Sequence, residues 1–316
     1  MRVLVLGGYG AVGSLVIERL RAWGHTCWSA GRDPRRADRV VDAGSPETGG
    51  FREAVEDADV VVNTSGAEDP ALVAIAAQRG AAFVDATATH TYVAAVERLS
   101  PRAPVLLNVG LAPGLTNLLA ADLHTRAPGG APIDLAVVLG AGEEHGAAGA
   151  AWAFGLLGRS FPDPATRTPV RNYTRPSVFT LPGQGRRRLY RADFSDQHVL
   201  TRDLGRPVRT HFGVDSAPLT VALAALTRLP GARRLPTGFH LPGSETWTVL
   251  ARAGERVRWA RGHGQSRATA ALAAWAVTLT DGLEAGVHHL HGVAALADLP
   301  EDLPLTLGET VRPGVR

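Results

Sequence analysis

The sequence predicts an α/β fold: a doubly wound parallel sheet followed by a second, α+β substrate domain. Three observations predict it. Short apolar runs without polar alternation recur through the first third of the chain, as in strands covered on both faces, and helical patterns separate them. A glycine cluster closes the first run. The 316 residues leave room for about two domains at roughly 150 residues each.

Six strands are expected in the first domain, at Arg2 to Leu6, Thr26 to Ala30, Arg39 to Val41, Asp59 to Asn63, Ala82 to Asp85 and Pro104 to Asn108. Between the first two, Val12, Leu15, Val16, Leu20 and Trp23 recur at helical spacing, and Gly24 suits a left-handed C-cap. Helices at 51–58, 69–79 and 91–99 fill the later crossovers, with Asp69-Pro70 as an N-cap and first-turn signal. Beyond Pro132 the strands lengthen. They are expected at Ile133 to Leu139, Arg187 to Asp193, Val208 to Val214, Thr246 to Arg252 and Arg256 to Arg261, with helices at 146–157, 218–226 and 265–281. Pro162, Pro164, Pro169 and Pro176 interrupt the segment between Phe161 and Leu181. The expected domains are 1–123, 124–281 and a short-helical C-terminal segment, 282–316, returning to pack on the first domain.

Composition excludes several chemistries. The 33 basic residues are all arginine, so Schiff-base and pyridoxal chemistry, lysine-dependent phosphate loops and the tyrosine/lysine couple of short-chain dehydrogenases are absent. A single cysteine, Cys27, rules out an intramolecular disulfide and a cysteine-rich zinc site. A net charge of +3 argues against a nucleic-acid partner. The longest uncharged stretch, Ala103 to Ala121, is interrupted by Asn108, Pro113, Gly114 and Asn117, which argues against a membrane span. No secretion signal is visible and a cytoplasmic location is expected. The expected partners are a small-molecule substrate and a second copy of the chain in a homodimer.

The sharpest motif is Gly8-Tyr9-Gly10-Ala11-Val12-Gly13, a GxGxxG that follows an expected strand and opens a helix. Gly8 allows the tight turn, Gly10 lets the backbone approach a pyrophosphate, and Gly13 lets helix and strand pack closely. A dinucleotide is the expected cofactor. After the second strand the chain reads Ala30-Gly31-Arg32-Asp33. Gly31 leaves space for a 2′-phosphate and Arg32 offers its planar fork of donors, so NADP(H) is favoured over NAD(H). Asp33 is the alternative, as a ribose acid. Arg35 and Arg36 read as a solvated turn.

Ligands lie at the carboxyl ends of strands in open α/β sheets. Three such ends are polar: Asn63-Thr64-Ser65 after the fourth strand, Asp85 after the fifth and Asn108 after the sixth. The first three residues and Asp85 are candidates for the cofactor, and Asn108 for the substrate.

These residues resemble the saccharopine dehydrogenase-like oxidoreductases. The resemblance is carried by the N-terminal GGYGAVG with Ala-Gly-Arg, by Asp59-Val-Val-Val-Asn63, and above all by Gly110-Leu111-Ala112-Pro113-Gly114. Weaker likeness continues at Gly140-Ala141-Gly142, Asp193-Phe194-Ser195-Asp196 and Gly264 to Thr269. The resemblance implies a Rossmann domain and hydride transfer from NAD(P)H, commonly at a carbon–nitrogen bond of an amino-acid-derived substrate. Reduction of an activated C=C or C=O and non-catalytic dinucleotide sensing stay open as alternatives. The family's Asp stands where this chain has Ala112.

A reductase must also supply a proton. Tyr92, which resembles a tyrosine of the family's reductases, comes first, followed by His145 and His90. Gly114, Asn117 and Arg188 are further substrate candidates, through helix N–H groups and a carboxylate clamp. His288, His289 and His291 lack a partner acid or cysteine at helical ligand spacing and read as a surface turn, with no metal expected.

Overall fold

The computed structural model describes residues 1–47, 49–127, 129–143, 152–229 and 243–311. They divide into two units, Met1–Gly114 with Ser266–Leu303, and Leu115–Gln265 with Pro304–Arg316.

In the first unit, β1 (Arg2–Leu6), β2 (Thr26–Gly31), β3 (Arg39–Val40), β4 (Val60–Asn63), β5 (Ala82–Asp85) and β6 (Pro104–Leu107) lie in the order 3-2-1-4-5-6. Every pair is parallel. This is the doubly wound Rossmann order, with a topological switch between β1 and β4. The strands are apolar throughout because both faces are covered. One face forms a core of Val3, Val5, Val62 and Val84 with Ala273 and Val277. Helix α1 (Gly13–Ala22) follows β1 directly, while α2 (Phe51–Ala54), α3 (Pro70–Gln78) and α4 (His90–Val96) fill the later crossovers. The Asp69 carboxylate accepts from the Ala71 N–H and caps α3 as its sequence indicates.

The second unit begins with α5 (Leu115–Arg126) and is built on a mixed sheet. It comprises β7 (Ile133–Leu139), β10 (Thr174–Leu181), β11 (Gly185–Arg191), β12 (Val208–Val214), β13 (Thr246–Ala253), β14 (Arg256–His263) and β16 (Leu305–Val311), in the order 10-11-12-7-13-14-16. A separate pair, β8 (Ser160–Pro162) and β9 (Pro169–Arg171), is antiparallel. Helices α6 (Ser195–Asp203) and α7 (Ala217–Leu226) pack on β12, and α5 packs across β13, β14 and β7. The fold is thus α/β with a second, mixed sheet. Among the described residues no helix is long and apolar enough to cross a membrane.

The final segment departs from expectation. After α8 (Gln265–Leu279), β15 (Gly286–His289) adds a seventh parallel strand beside β6. The short α9 (Leu290–Val293) follows, and β16 then joins the second sheet. Residues 282–311 are therefore shared between the two units and add one strand to each sheet, because each sheet has an edge with unpaired backbone groups that a short strand satisfies.

Candidate functional site

The glycine turn sits where the strand order reverses. Gly7 adopts φ +74°, and a Cβ there would lie 2.8 Å from Ser65 Cα. A Cβ on Gly8 would lie 2.7 Å from Ser29 Cα, and one on Gly13 would strike the Gly7 carbonyl oxygen. Both glycines are required by close backbone approach. Gly10 differs: it is exposed, and its Cβ position meets only the Gly7 oxygen, at 3.1 Å. That side of the turn is open to a ligand.

Helix α1 starts at Gly13 with no acidic residue in its first turn. Its positive end is therefore uncompensated, and the Ala11 and Val12 amides precede it at the turn, an arrangement suited to an anion. Ser14 adds no competing charge, since its Oγ donates to the Gly10 carbonyl at 2.8 Å.

At the end of β2 the structure corrects one expectation. The space above Gly31 is not vacant: the Tyr9 ring fills it, and a Cβ on residue 31 would fall 2.5 Å from Tyr9 Cε1. The Tyr9 hydroxyl accepts from the Asp33 N–H at 3.1 Å. Arg36, expected in a solvated turn, stands over this ring with Cζ 4.5 Å from the centroid, and its Nη2 donates to the Tyr9 carbonyl at 2.9 Å. Arg32 is exposed. Asp33 accepts from the Arg35 N–H at 3.0 Å, which commits one of its oxygens to its own turn.

One rank of residues crosses the carboxyl ends of the sheet in register: Ala30, Leu6, Asn63, Asp85, Leu107 and His289. Asn63 and Asp85 are both buried, and the Asn63 Nδ2 donates to Asp85 Oδ2 at 3.0 Å. The Asn63 Oδ1 accepts from the Ser65 hydroxyl at 2.7 Å, Thr64 Oγ1 donates to the Leu6 carbonyl at 2.8 Å, and Asp85 Oδ1 accepts from the Thr87 N–H at 2.7 Å. Asn63, Thr64 and Ser65 thus shape the loop after β4, and Asp85 the start of the loop after β5.

Tyr92 is placed differently from a proton donor facing solvent. It is 4% exposed on α4, and its hydroxyl donates to Asp85 Oδ2 at 2.8 Å. Burial, then the Asp85 charge and this bond, drive the phenol far above its ordinary range. Burial also raises the Asp85 carboxyl, against the donors that pull it down. His90 is half-buried as the first residue of α4. His145 lies outside the described residues.

Asn108 is fully buried at φ +57°, a left-handed conformation that asparagine tolerates better than most residues. Its Nδ2 lies 3.2 Å from His289 Nδ1, and His289 Nε2 lies 2.7 Å from Glu97 Oε1. The histidine cluster is therefore not a surface turn: His288 and His289 belong to β15, and His289 joins α4 to the end of β6. Sequence offered no sign of this, because Glu97 and His289 are far apart in the chain.

Gly114 is required by contact with the Gly110 backbone, its Cβ position overlapping the Gly110 carbonyl oxygen. Asn117 is fully buried on α5. Arg188 is exposed on β11 opposite Val178, itself 41% exposed, which is a solvated face.

No family model matches the sequence, and no curated protein matches it. Among solved structures, the chain is similar to a dipicolinate-bound dihydrodipicolinate reductase from Paenisporosarcina sp. TG-14, with 9% identity over 92% of this chain and 97% of that one, at a TM-score of 0.41. It is also similar to the WlbA dehydrogenase of Thermus thermophilus in complex with NAD and UDP-GlcNAcA, with 13% identity over 89% and 93% of the two chains, at a TM-score of 0.38. The WlbA dehydrogenase of Bordetella pertussis in complex with NADH and UDP-GlcNAcA matches with 12% identity over 84% and 80%, at a TM-score of 0.35.

Proposed function

We propose that the protein is an NADP(H)-dependent oxidoreductase. The observation that carries this reading is the glycine turn at the β1/β4 switch, open at Gly10 and aimed by the uncompensated end of α1. Gly8, Tyr9, Gly10, Ala11, Val12 and Gly13 hold the pyrophosphate, and Asn63, Thr64, Ser65 and Asp85 shape the crevice along which the rest of the coenzyme runs. Preference for the phosphorylated coenzyme is assigned to Arg32 and to Arg36, whose guanidinium is held over Tyr9 beside Gly31. When bound, NADPH supplies the hydride.

The acceptor is assigned as an imine, on the resemblance of Gly110 to Gly114, and one proton from the protein completes its reduction to an amine. Tyr92 is a poor source of that proton, since its hydroxyl is committed to Asp85 and burial opposes its ionisation.

Titration of the protein's fluorescence with NADPH and with NADH tests the cofactor assignment. Arg32→Ala and Arg36→Ala should each weaken NADPH by about 10-fold or more, the value of a charge-assisted hydrogen bond, and NADH little. Equal losses, or a preference for NADH, would contradict the assignment. Consumption of NADPH against cyclic imines, enones and simple ketones identifies the acceptor.

A further inference from the structure

Tyr9 belongs to the glycine turn through its backbone, but its side chain is fixed as well. A Cβ on Gly31 would fall 2.5, 2.6 and 2.7 Å from Tyr9 Cε1, Oη and Cζ, so the tip of the phenol takes the place of a side chain at the end of β2. Only glycine at position 31 leaves the ring that seat. The hydroxyl oxygen accepts from the Asp33 N–H at 3.1 Å, and no acceptor among the described residues takes its hydrogen. Arg36 Cζ stands 4.5 Å from the ring centroid, while its Nη2 donates to the Tyr9 carbonyl at 2.9 Å. The turn that carries this guanidinium is closed on itself, because the Arg36 and Ala37 N–H groups both donate to the Asp33 carbonyl, at 3.1 and 3.0 Å. Among the described residues neither Arg32 nor Arg36 has a carboxylate within ion-pair distance.

The acids of the same segment are engaged elsewhere. Asp33 Oδ1 accepts from the Arg35 N–H at 3.0 Å. Asp38 Oδ2 accepts from the Ser29 N–H at 2.8 Å and from the Ser29 hydroxyl at 2.9 Å, bonds that hold its carboxyl below the usual carboxylate range. A ribose without a 2′-phosphate is ordinarily held by a carboxylate that accepts from its hydroxyl. Here the group standing at the end of β2 is a hydrogen donor with a cation over its ring. A phosphate monoester brings up to two negative charges and three acceptor oxygens, so a phenol bond to it is charge-assisted and about twice as strong as one to a neutral hydroxyl. A ring present only as filler accounts for the contact with Gly31, but not for a hydroxyl fixed by a main-chain donor.

We infer that the Tyr9 side chain is the residue that discriminates between the two coenzymes: its hydroxyl, turned by the Asp33 N–H, donates to the 2′-phosphate, and its ring holds Arg36 beside that group. This rests on the dinucleotide reading of the glycine turn. Gly31 is the complement of Tyr9, since any larger residue displaces the phenol.

The test is titration calorimetry on the full chain with NADPH, NADH, adenosine 2′,5′-bisphosphate and adenosine 5′-monophosphate. The last two differ only in the 2′-phosphate. Tyr9→Phe keeps the ring and loses the donor. It should weaken NADPH and the bisphosphate by about 10-fold or more, and NADH and the monophosphate by about 3-fold or less, with Tm near wild type. Gly31→Ala should reproduce that selective loss by dislodging an intact Tyr9. A wild type that prefers the 2′-phosphate, with a Tyr9→Phe variant that loses nothing or loses all four ligands equally, overturns this inference and leaves the coenzyme assignment standing. Full preference kept in Gly31→Ala likewise overturns the pairing of Gly31 with Tyr9. A wild type that binds pyridine nucleotides without preferring the phosphate overturns the inference together with the NADP(H) assignment, and one that binds none of the four overturns the oxidoreductase reading as well.

Discussion

Replacing Asp196 with asparagine should change how the stability of the second unit depends on pH. The Asp196 Oδ1 accepts from Thr210 Oγ1 at 2.6 Å and from the Gln197 N–H at 2.7 Å, and Oδ2 accepts from Thr116 Oγ1 at 3.0 Å. Burial outweighs these bonds and pushes the carboxyl from 3.8 up to about 6. Between those values the folded chain keeps a proton that the unfolded chain has released. Stability is therefore lost as pH rises through 6, by about 3 kcal/mol at about 1.4 kcal/mol per pH unit. His211 acts in the opposite sense. Burial pushes it from 6.5 down to about 4, with Asp134 opposing and Arg191 assisting. The unfolded chain takes up that proton first, so acidification from 6.5 to 4 costs stability, again about 3 kcal/mol. In the wild type the two effects nearly cancel. In Asp196→Asn only the histidine effect is left, and stability should climb by about 3 kcal/mol from pH 4 to 6.5. Urea unfolding followed by circular dichroism at closely spaced pH values measures this. Parallel curves for variant and wild type would refute the assignment of a buried, protonated Asp196.

Three further outcomes are expected. Gly13→Ala should abolish dinucleotide binding and destabilise the first unit by about 1–3 kcal/mol, because its Cβ would lie 2.7 Å from Thr64 Oγ1 and 2.8 Å from Gly8 Cα; thermal melts and NADPH titration read both effects. Arg191→Met should cost about 3–5 kcal/mol by leaving the Asp163 carboxylate buried without its partner, and a second change, Asp163→Asn, should recover part of it in the same urea assay. Tyr92→Phe should cost about 1–3 kcal/mol, since it removes a donor from the buried Asp85 carboxyl; a variant as stable as wild type would show that Asp85 does not need the phenol.

Strands buried on both faces announced themselves in the sequence. β1, β5, β7 and β12 run between the expected residues; in β1 and β7 runs of Val and Leu leave few alternatives, while β12 is buried along most of its length although it carries Arg209, Thr210 and His211. β10 was concealed by Pro176, which an edge strand tolerates at the register shift between Thr174 and Ser177. β15 was concealed by its brevity and its two histidines; it is a strand because β6 offers an unpaired edge. The glycine turn was legible for the same local reason as β1. The side chains around it were not. That Tyr9 fills the space over Gly31, and that His289 reaches Glu97, depends on packing between residues distant in the chain, which no spacing rule encodes.

The polypeptide passes between its two units after Gly114, after Gln265 and after Leu303. Neither unit is one continuous stretch. During synthesis the first six strands leave the ribosome well before Ala270, Ala273 and Val277, which line the same core as Val3, Val5 and Val62. The nascent amino-terminal third must therefore wait with that face wet, and a fragment cut at residue 123 keeps it so. Genetic exchange of the second unit has to replace two segments, an insertion between Gly114 and Ser266 together with the chain from Pro304 onward, rather than one end-to-end piece.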